Sequence, residues 1–492
     1  MSERQTRELA LLYHQSGRLL EAERLYRQIL ASESDASVHN NLGQLLNLLG
    51  RNTEAIIELG RAIALRPDLA EPLNNLGVAL AAVGRGNEAI TAYRAAIALE
   101  PNHARAHSNL GNALKTAGKT PEAIACYQTA LSLDPNYGEA HSNLGALLNE
   151  MGRTEEALQC HSRAIELRPD YAQGHFNLGS ALSSAGRHEE AIDAHRRAIS
   201  LQPHLPQAHF NLALELLRRG DFAEGWAEFE WRCRMPSLVK MTKDCPQPLW
   251  DGSDLGNRVL LLYAEQGIGD TIQFVRYVSL IRGRVLLEVQ PSLARLLNAA
   301  APHDGEFDVH LPLLSLPLIL RQFDPTATQV PYIRPTSRQD IGPRRGLRVG
   351  VAWAGSPTHK NDRNRSIPLA KLSPLAQEGV EFFSLQMGPG AIQTGMRLTD
   401  LTSRIHDFAD TAALIAELDL VISVDTAVAH LAGATGKPVW VLLPEPADWR
   451  WLLKREDSPW YPTMRLFRQS WPGDWDEPIE RMSRELTKFK SP

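Results

Sequence analysis

Asp425, Thr426 and His430 have the types and spacing to bind a phosphate-bearing ligand. They follow the apolar run 420–424, which predicts a buried strand, and they open a predicted helix of small residues at 427–435. Asp and Thr cap helices, and the free N–H groups and positive dipole end at a helix start favour a phosphate. His430 lies one turn further on and can face the same side. The alternative is an ordinary strand–helix unit with a capped helix and a packed histidine.

A second turn of this kind contains Gly267, Gly269 and Asp270. It follows a predicted strand at 259–263 and opens a helix predicted to run to about residue 281. Asp270 stands at the start of that helix, so the simplest interpretation is a helix cap.

A third candidate segment is the basic loop 356–366, which follows a predicted strand at 347–355. It carries Lys360, Arg363 and Arg365. Fixed cations in such a loop can stabilise a phosphate, although a solvated basic loop is the alternative.

Composition limits the class of protein. The chain has 492 residues, 43% apolar and 22% charged, with a net charge of -5, which argues against nucleic acid or an anionic membrane surface as the main partner. Its four cysteines show no paired spacing, which favours a reducing compartment and no cysteine metal site. No signal-peptide pattern and no apolar run of about 18 residues is found. We therefore expect a cytoplasmic protein without a membrane span.

The first half of the chain repeats one unit. Asn-Leu-Gly recurs at steps of 34 residues from 41–43 to 177–179 and returns as Asn-Leu-Ala at 211–213, with glycine, alanine and proline columns in the same register. This pattern resembles the tetratricopeptide repeat, and we count seven helix–turn–helix copies over about residues 5–236. The resemblance implies an α-solenoid with a concave groove.

One asparagine column precedes the consensus leucine of these repeats. Its six members are Asn41, Asn75, Asn109, Asn143, Asn177 and Asn211. In tetratricopeptide repeats this column faces the groove, where amides can bind the backbone of an extended peptide. The alternative is that asparagine is simply a frequent consensus choice there.

The second half alternates strands and helices after a Pro/Gly/Asp-rich linker, predicted at 237–256. We predict a small Rossmann-like lobe at 257–340 and a larger nucleotide-sugar-binding lobe at 341–492. The predicted fold class is thus an α-solenoid at 1–236 followed by two α/β lobes, the arrangement of GT-B glycosyltransferases.

Three segments of this half, 267–270, 352–368 and 422–444, resemble the heptosyltransferase-type glycosyltransferases, and the order of domains is also similar to that of the O-linked N-acetylglucosamine transferases. The heptosyltransferase resemblance implies that Asp270 is the base for the acceptor hydroxyl and that Arg365 binds the donor diphosphate. Lys360 and Arg363 are alternatives to Arg365. The resemblance also implies that Asp425, Thr426 and His430 bind the donor, and we expect Gly267 and Gly269 to be donor-binding residues as well.

The implied function is metal-independent, inverting sugar transfer from a nucleoside-diphosphate sugar to an acceptor hydroxyl, on a peptide or protein held in the repeat groove. No cofactor besides the donor is expected. Ala427 replaces a glycine of the related enzymes, and the first lobe spans only about 80 residues, so catalytic competence is open. The alternatives are a non-catalytic scaffold or sugar-nucleotide sensor, and a transferase acting on a saccharide or glycolipid.

Overall fold

The chain forms two compact units, Met1–Pro203 and His204–Pro492. The computed structural model describes residues 3–235, 245–299, 306–359, 361–388 and 396–489. Within these ranges, no helix is both long and apolar enough to cross a membrane.

The first unit consists of six consecutive helix pairs. The helices are α1 Glu3–Gln15, α2 Leu19–Ser32, α3 Ala36–Leu48, α4 Asn52–Leu65, α5 Ala70–Ala82, α6 Gly86–Leu99, α7 Ala104–Thr116, α8 Thr120–Leu133, α9 Gly138–Glu150, α10 Thr154–Leu167, α11 Ala172–Ser184 and α12 His188–Leu201. The two helices of a pair pack on each other, and each second helix packs on the first helix of the next pair. This confirms the predicted helical solenoid.

The consensus glycine of the five repeats that carry it lies in close contact between the two helices of a pair. A Cβ atom added at any of these glycines would lie 2.5 to 2.7 Å from the side chain 16 residues further on. The pairs are Gly43 with Leu59, Gly77 with Tyr93, Gly111 with Tyr127, Gly145 with His161 and Gly179 with His195. In this position the fifth and sixth repeats have a buried histidine, His161 and His195, where the third and fourth repeats have a tyrosine.

The seventh helix pair belongs to the second unit. It comprises α13 Pro206–Arg219 and α14 Phe222–Phe229, followed by a 3-10 turn. Trp226 of α14 packs edge-on against Phe274 and Trp449, with ring centroids 5.4 Å apart in both cases. The last repeat is thus part of the core of the α/β region. Residue 236, the predicted end of the solenoid, lies outside the described residues, so that limit stays a prediction, as do the linker and lobe limits.

The buried side chain of Arg232 adds polar contacts to this packing. Its Nε donates to Glu265 Oε1 at 2.7 Å, and its Nη2 donates to Ser315 Oγ at 2.8 Å. Because both Arg232 and Glu265 are buried, this ion pair fixes the end of the repeats onto the loop that follows the first strand.

The α/β region contains two parallel sheets, as predicted. The strands of this region are β1 Val259–Tyr263, β2 Arg284–Glu288, β3 Val309–Pro312, β4 Leu347–Ala352, β5 Val380–Ser384, β6 Thr399–Asp400, β7 Leu420–Val424, β8 Val439–Leu443 and β9 Met464–Arg468. The first sheet has the strand order β2-β1-β3, and the second has the order β6-β5-β4-β7-β8-β9. The helices of this region are α15 Ile268–Phe274, α16 Pro291–Leu297, α17 Leu316–Ile319, α18 Asp362–Arg365, α19 Phe408–Ala416, α20 Ala427–Ala434 and α21 Asp476–Leu486.

Several elements end earlier than predicted. The helix expected to reach residue 281 ends at Phe274 and continues as a 3-10 turn. Strand β4 ends at Ala352, because the Gln386 side-chain oxygen accepts the N–H groups of Trp353 at 3.0 Å and Ala354 at 2.8 Å. A side chain thus replaces the strand ladder where the chain leaves the sheet after Ala352.

Candidate functional site

A cleft of about 1170 Å³ lies within the second unit, at the carboxyl ends of strands from both sheets. It is lined by seven of the predicted site residues, Gly267, Gly269, Asp270, Arg365, Asp425, Thr426 and His430. Arg363 is exposed and does not line the cleft. Lys360 lies outside the described residues.

Helix α20 begins at the cleft wall without a side-chain cap. Thr426 is the capping residue, but its Oγ1 shares a hydrogen bond with Ser423 Oγ at 3.0 Å and makes none to the helix backbone. The predicted helix start is confirmed, and a side-chain cap is not formed. The Ala429 N–H donates to the Thr426 carbonyl oxygen at 3.0 Å. The N–H groups of Ala427 and Val428, which no capping side chain binds, are therefore left to a ligand or to water, and the dipole favours an anion there.

Arg365 lies beside this helix start. Its Nη1 donates to the carbonyl oxygen of Asp425 at 3.0 Å. A Cβ atom added at Gly355 would lie 2.5 Å from Arg365 Nη2, so a side chain there would displace the guanidinium from this position. Ser366 Oγ accepts from the Gly355 N–H at 2.9 Å and donates to Asp362 at 2.9 Å, which fixes the loop that carries Arg365.

Asp270 has two polar partners. One carboxylate oxygen accepts the N–H of Gly267 at 2.8 Å, and the other binds the Arg450 guanidinium. Arg450 also donates to Asp448 at 2.8 Å and to Gln273 at 2.9 Å. Asp270 is therefore more than a helix cap, because it belongs to a charged cluster on the cleft wall.

His430 is an uncharged member of the site. Its Nδ1 lies 2.9 Å from the Tyr461 hydroxyl, and its ring stacks on Trp451 at 5.2 Å. Burial lowers the pKa of His430 to about 3, with the nearby Arg450 adding to the effect. A Cβ atom at Gly269 would lie 2.9 Å from its Cδ2, so glycine permits the close approach of α15 and α20.

Two further carboxylates in the cleft differ in proton affinity. Burial and the negative charge of Asp448 raise the pKa of Asp425. Burial opposes ionisation of Asp448 as well, but Arg450 holds its pKa below the usual value. At neutral pH the negative charge therefore resides on Asp448 more firmly than on Asp425.

The side chains that could bind a metal ion were compared with the grouping that a metal site needs. Over the described ranges, no group of three or more His, Cys, Asp and Glu side chains is placed to hold a metal ion.

Six titratable lining residues were missed by the sequence analysis, namely Arg218, His359, His406, Asp407, Asp448 and Arg450. His359 accepts the Asn361 N–H on Nδ1 at 3.2 Å, and burial lowers its pKa, so the neutral ring carries its proton on Nε2. The segment 448–453 carries aromatic residues for which we predict lobe packing, and Trp449 and Trp451 are indeed buried. No local pattern distinguishes Arg450 between them.

The asparagine column makes contacts between repeats. The Nδ2 atoms of Asn75, Asn109 and Asn177 donate to Asn40, Asn74 and Ser142 respectively, at 2.9 to 3.0 Å and always 35 residues earlier. Asn75 is buried, whereas Asn41, Asn109, Asn143, Asn177 and Asn211 are half-buried. Each bond uses one amide N–H, so peptide binding by this column stays a prediction.

Comparison with known proteins gives family matches in both halves of the chain. Models of the tetratricopeptide repeat match residues 43–84, 82–118, 104–137, 137–204 and 206–230, and the model of glycosyltransferase family 9 (heptosyltransferase) matches residues 390–443. The last match contains β7, Thr426 and α20.

Among individual proteins, FlbA of Caulobacter vibrioides (strain ATCC 19089 / CIP 103742 / CB 15) is 27% identical over 325 residues. The aligned region spans 56% of this chain and 54% of FlbA, so the chain covers about half the length of this relative.

Two solved structures also show similarity. The APC/C hetero-tetramer Cut9-Hcn1 is 17% identical with a TM-score of 0.44, over 46% of this chain and 45% of the other. Pseudomonas aeruginosa pilF is 22% identical with a TM-score of 0.37, over 42% and 94% respectively. The chain therefore contains tetratricopeptide repeats within residues 43–230 and a segment, 390–443, that matches glycosyltransferase family 9 (heptosyltransferase).

Proposed function

We propose that this protein is a glycosyltransferase that moves a sugar from a nucleoside-diphosphate sugar to an acceptor hydroxyl, in the cleft of a GT-B-like pair of lobes. The observation that carries the proposal is the meeting of a carboxylate, Asp270, with two anion-binding features, Arg365 and the start of α20, in one cleft.

In the proposed reaction, the donor diphosphate binds at the uncapped N-terminus of α20, where Arg365 supplies a fixed positive charge. Neutral His430 offers a hydrogen bond to the donor without adding charge, and Asp425 holds a proton more tightly than an exposed aspartate does. The Nε2–H of His359 is a further donor to the diphosphate. These groups stabilise the charge that develops on the leaving diphosphate, with no metal ion assigned to that role.

Asp270 is the proposed base. As the acceptor oxygen attacks the anomeric carbon, its proton passes to the carboxylate, and the electron pair of the broken carbon–oxygen bond leaves on the diphosphate. A single displacement of this kind inverts the anomeric centre. Arg450 must yield part of its contact with Asp270 as the proton arrives, because a protonated carboxyl binds a guanidinium weakly.

The acceptor is proposed to be a peptide or protein recruited by the repeats, since a tetratricopeptide array is a surface for protein partners. Asn109, for example, is half-buried and uses one of its two side-chain N–H groups within the array, which leaves the other for such a partner.

A second candidate function rests on the ion pair between Asp270 and Arg450. If this pair stays closed, the cleft binds a sugar nucleotide without transferring the sugar, and the protein acts as a sensor or scaffold.

The test is a thermal-shift screen against nucleoside diphosphates and their sugars, followed by an assay of transfer and hydrolysis with the selected donor. NMR of the product then reports the anomeric configuration. Binding with turnover and inversion supports the transferase, and binding without turnover over a broad acceptor panel supports the sensor. No binding of any nucleotide sugar would reject both.

A further inference from the structure

Arg218 is a cleft residue that comes from the repeat part of the sequence. It lies near the end of α13, the first helix of the seventh pair, and it lines the same cleft as Asp270 and Asp448. The turn Trp449–Trp451 packs against α13, which explains how a repeat helix reaches the cleft wall.

The guanidinium of Arg218 is only partly satisfied by the protein. Its Nη1 donates to Glu215 Oε1 at 2.5 Å, one turn earlier on the same helix. Its Nε is buried and has no hydrogen-bond partner within the described ranges. A buried guanidinium N–H normally has a hydrogen-bond partner, so we expect a hydrogen-bond acceptor atom from a bound molecule or from water there.

The charge of Arg218 acts on Asp448. Among the groups that influence the ionisation of Asp448 are Arg450 and, more weakly, Arg218. Arg450 bridges Asp448 to Asp270, whereas Arg365 contacts the backbone of Asp425 at the α20 start. Arg218 therefore adds a cation beside the cluster of Asp448, Arg450 and Asp270, in addition to the one that Arg365 places at the start of α20.

We propose that Arg218 binds an oxyanion, a phosphate or carboxylate, on the acceptor, close to the hydroxyl that receives the sugar. The assignment of this anion to the sugar acceptor rests on the proposed function, whereas the existence of an anion site at Arg218 does not. An arginine fork matches both anions, and Glu215 holds Arg218 at the cleft wall without using all its N–H groups.

The experiment uses the full chain and three variants. Arg218→Gln removes the cation, Arg218→Lys keeps the charge but loses the fork, and Arg219→Gln is the control. Arg219 is the neighbouring residue, pairs with Asp221 and does not line the cleft. Unfolding temperatures and circular dichroism establish that each variant is folded.

Each protein is saturated with the nucleoside diphosphate selected by the screen, so that the donor site is occupied. Inorganic phosphate and malonate are then titrated by thermal shift, and the two probes distinguish a phosphate from a carboxylate acceptor. We expect one of them to bind wild type and Arg219→Gln equally, to bind Arg218→Gln about tenfold or more weakly, and to bind Arg218→Lys with intermediate affinity. Equal binding by wild type and Arg218→Gln, or no binding of either probe to wild type, would overturn the proposal.

Failure of the proposed function is distinguishable from failure of this inference. Should no nucleoside diphosphate bind, the titrations are run without one, on Arg365→Ala and on Arg365→Ala/Arg218→Gln. A tenfold difference between these two proteins supports the anion site at Arg218, and no difference rejects it.

Discussion

The guanidinium of Arg450 binds the carboxylate of Asp270, although 180 residues separate them in the sequence. The pair joins the turn after β1 to the segment after β8, and both side chains are largely buried, with 17% of Asp270 and 10% of Arg450 exposed. A single substitution at Asp270 therefore removes a proposed base and breaks a buried ion pair at the same time.

Two variants separate these effects. Asp270→Asn should lower the unfolding temperature, because Arg450 keeps only Asp448 as a charged partner, and it should lower transfer by about 10²–10⁴-fold if Asp270 is the base. In the double variant Asp270→Asn/Arg450→Gln the cation left without Asp270 is gone, so stability should recover in part, because Asp448 also loses its cation, while transfer does not recover. Recovery of turnover together with stability would show that Asp270 acts only through the ion pair.

Donor binding should depend on Arg365. Arg365→Ala removes a charge-assisted contact of a kind that contributes about 1.5–3 kcal/mol, so calorimetry should show about ten- to hundredfold weaker binding of the preferred nucleoside diphosphate. Arg363→Ala is the matched control, because Arg363 lies exposed on the same short helix. Equal losses in both variants would indicate a diffuse charge effect instead of a contact at Arg365.

Gly269→Ala tests the contact between α15 and α20. The added methyl group would lie 2.9 Å from His430 Cδ2, and the ring is held between Tyr461 and Trp451. We expect a loss of about 1–3 kcal/mol in stability and weaker donor binding, because the helices must separate. Gly86→Ala is the control, since nothing lies within 4 Å of its added Cβ. An unchanged unfolding temperature for Gly269→Ala would contradict the geometry.

The fifth repeat should weaken in acid because of His161. Burial lowers the pKa of His161 to about 4, against 6.5 for an unburied histidine. Above pH 6.5 the ring is neutral in both folded and unfolded chains and has no effect. Between these values the unfolded chain binds the proton, so stability falls as the pH falls, by up to about 3 kcal/mol.

Hydrogen exchange of α9 and α10 in the full chain measures this effect. His161→Leu should remove the extra acid sensitivity of these helices, because Leu59 fills the same position against Gly43. Exchange in α3 and α4, which contain Gly43 and Leu59, serves as the internal reference. Equal acid sensitivity of α9 and α10 in wild type and variant would exclude His161 as its source.

Local patterns were sufficient to predict much of this molecule. The 34-residue spacing of the glycine and alanine columns predicts two helices per unit, because this period is that of a helix–turn–helix repeat. Alternating strands and helices predict parallel sheets, and the carboxyl ends of parallel strands lie at one edge of a sheet, so the segments carrying Arg365 and Thr426 are predicted to lie close together. That Asp270, which follows a strand of the other sheet, faces the same cleft is an expectation from the GT-B arrangement of two lobes.

Contacts that depend on long-range packing were not predictable. Arg450 stands among buried tryptophans, and Arg218 with Glu215 has the spacing of an ordinary helix-surface ion pair. For the asparagine column the sequence shows the register of each residue, but the partner 35 residues earlier depends on how successive repeats stack.

The buried contacts of Trp226 and Arg232 have a consequence for how the gene can be rearranged. The seventh repeat resembles its predecessors in sequence, yet its side chains complete the core of the α/β region. Duplication or loss of repeats upstream of Pro203 leaves that core intact, whereas a crossover between α13 and α14 exchanges part of it. The repeats that can be exchanged therefore end at Pro203, one repeat before the end of the array. A chimaera that supplies foreign repeats should be joined at the turn before α13.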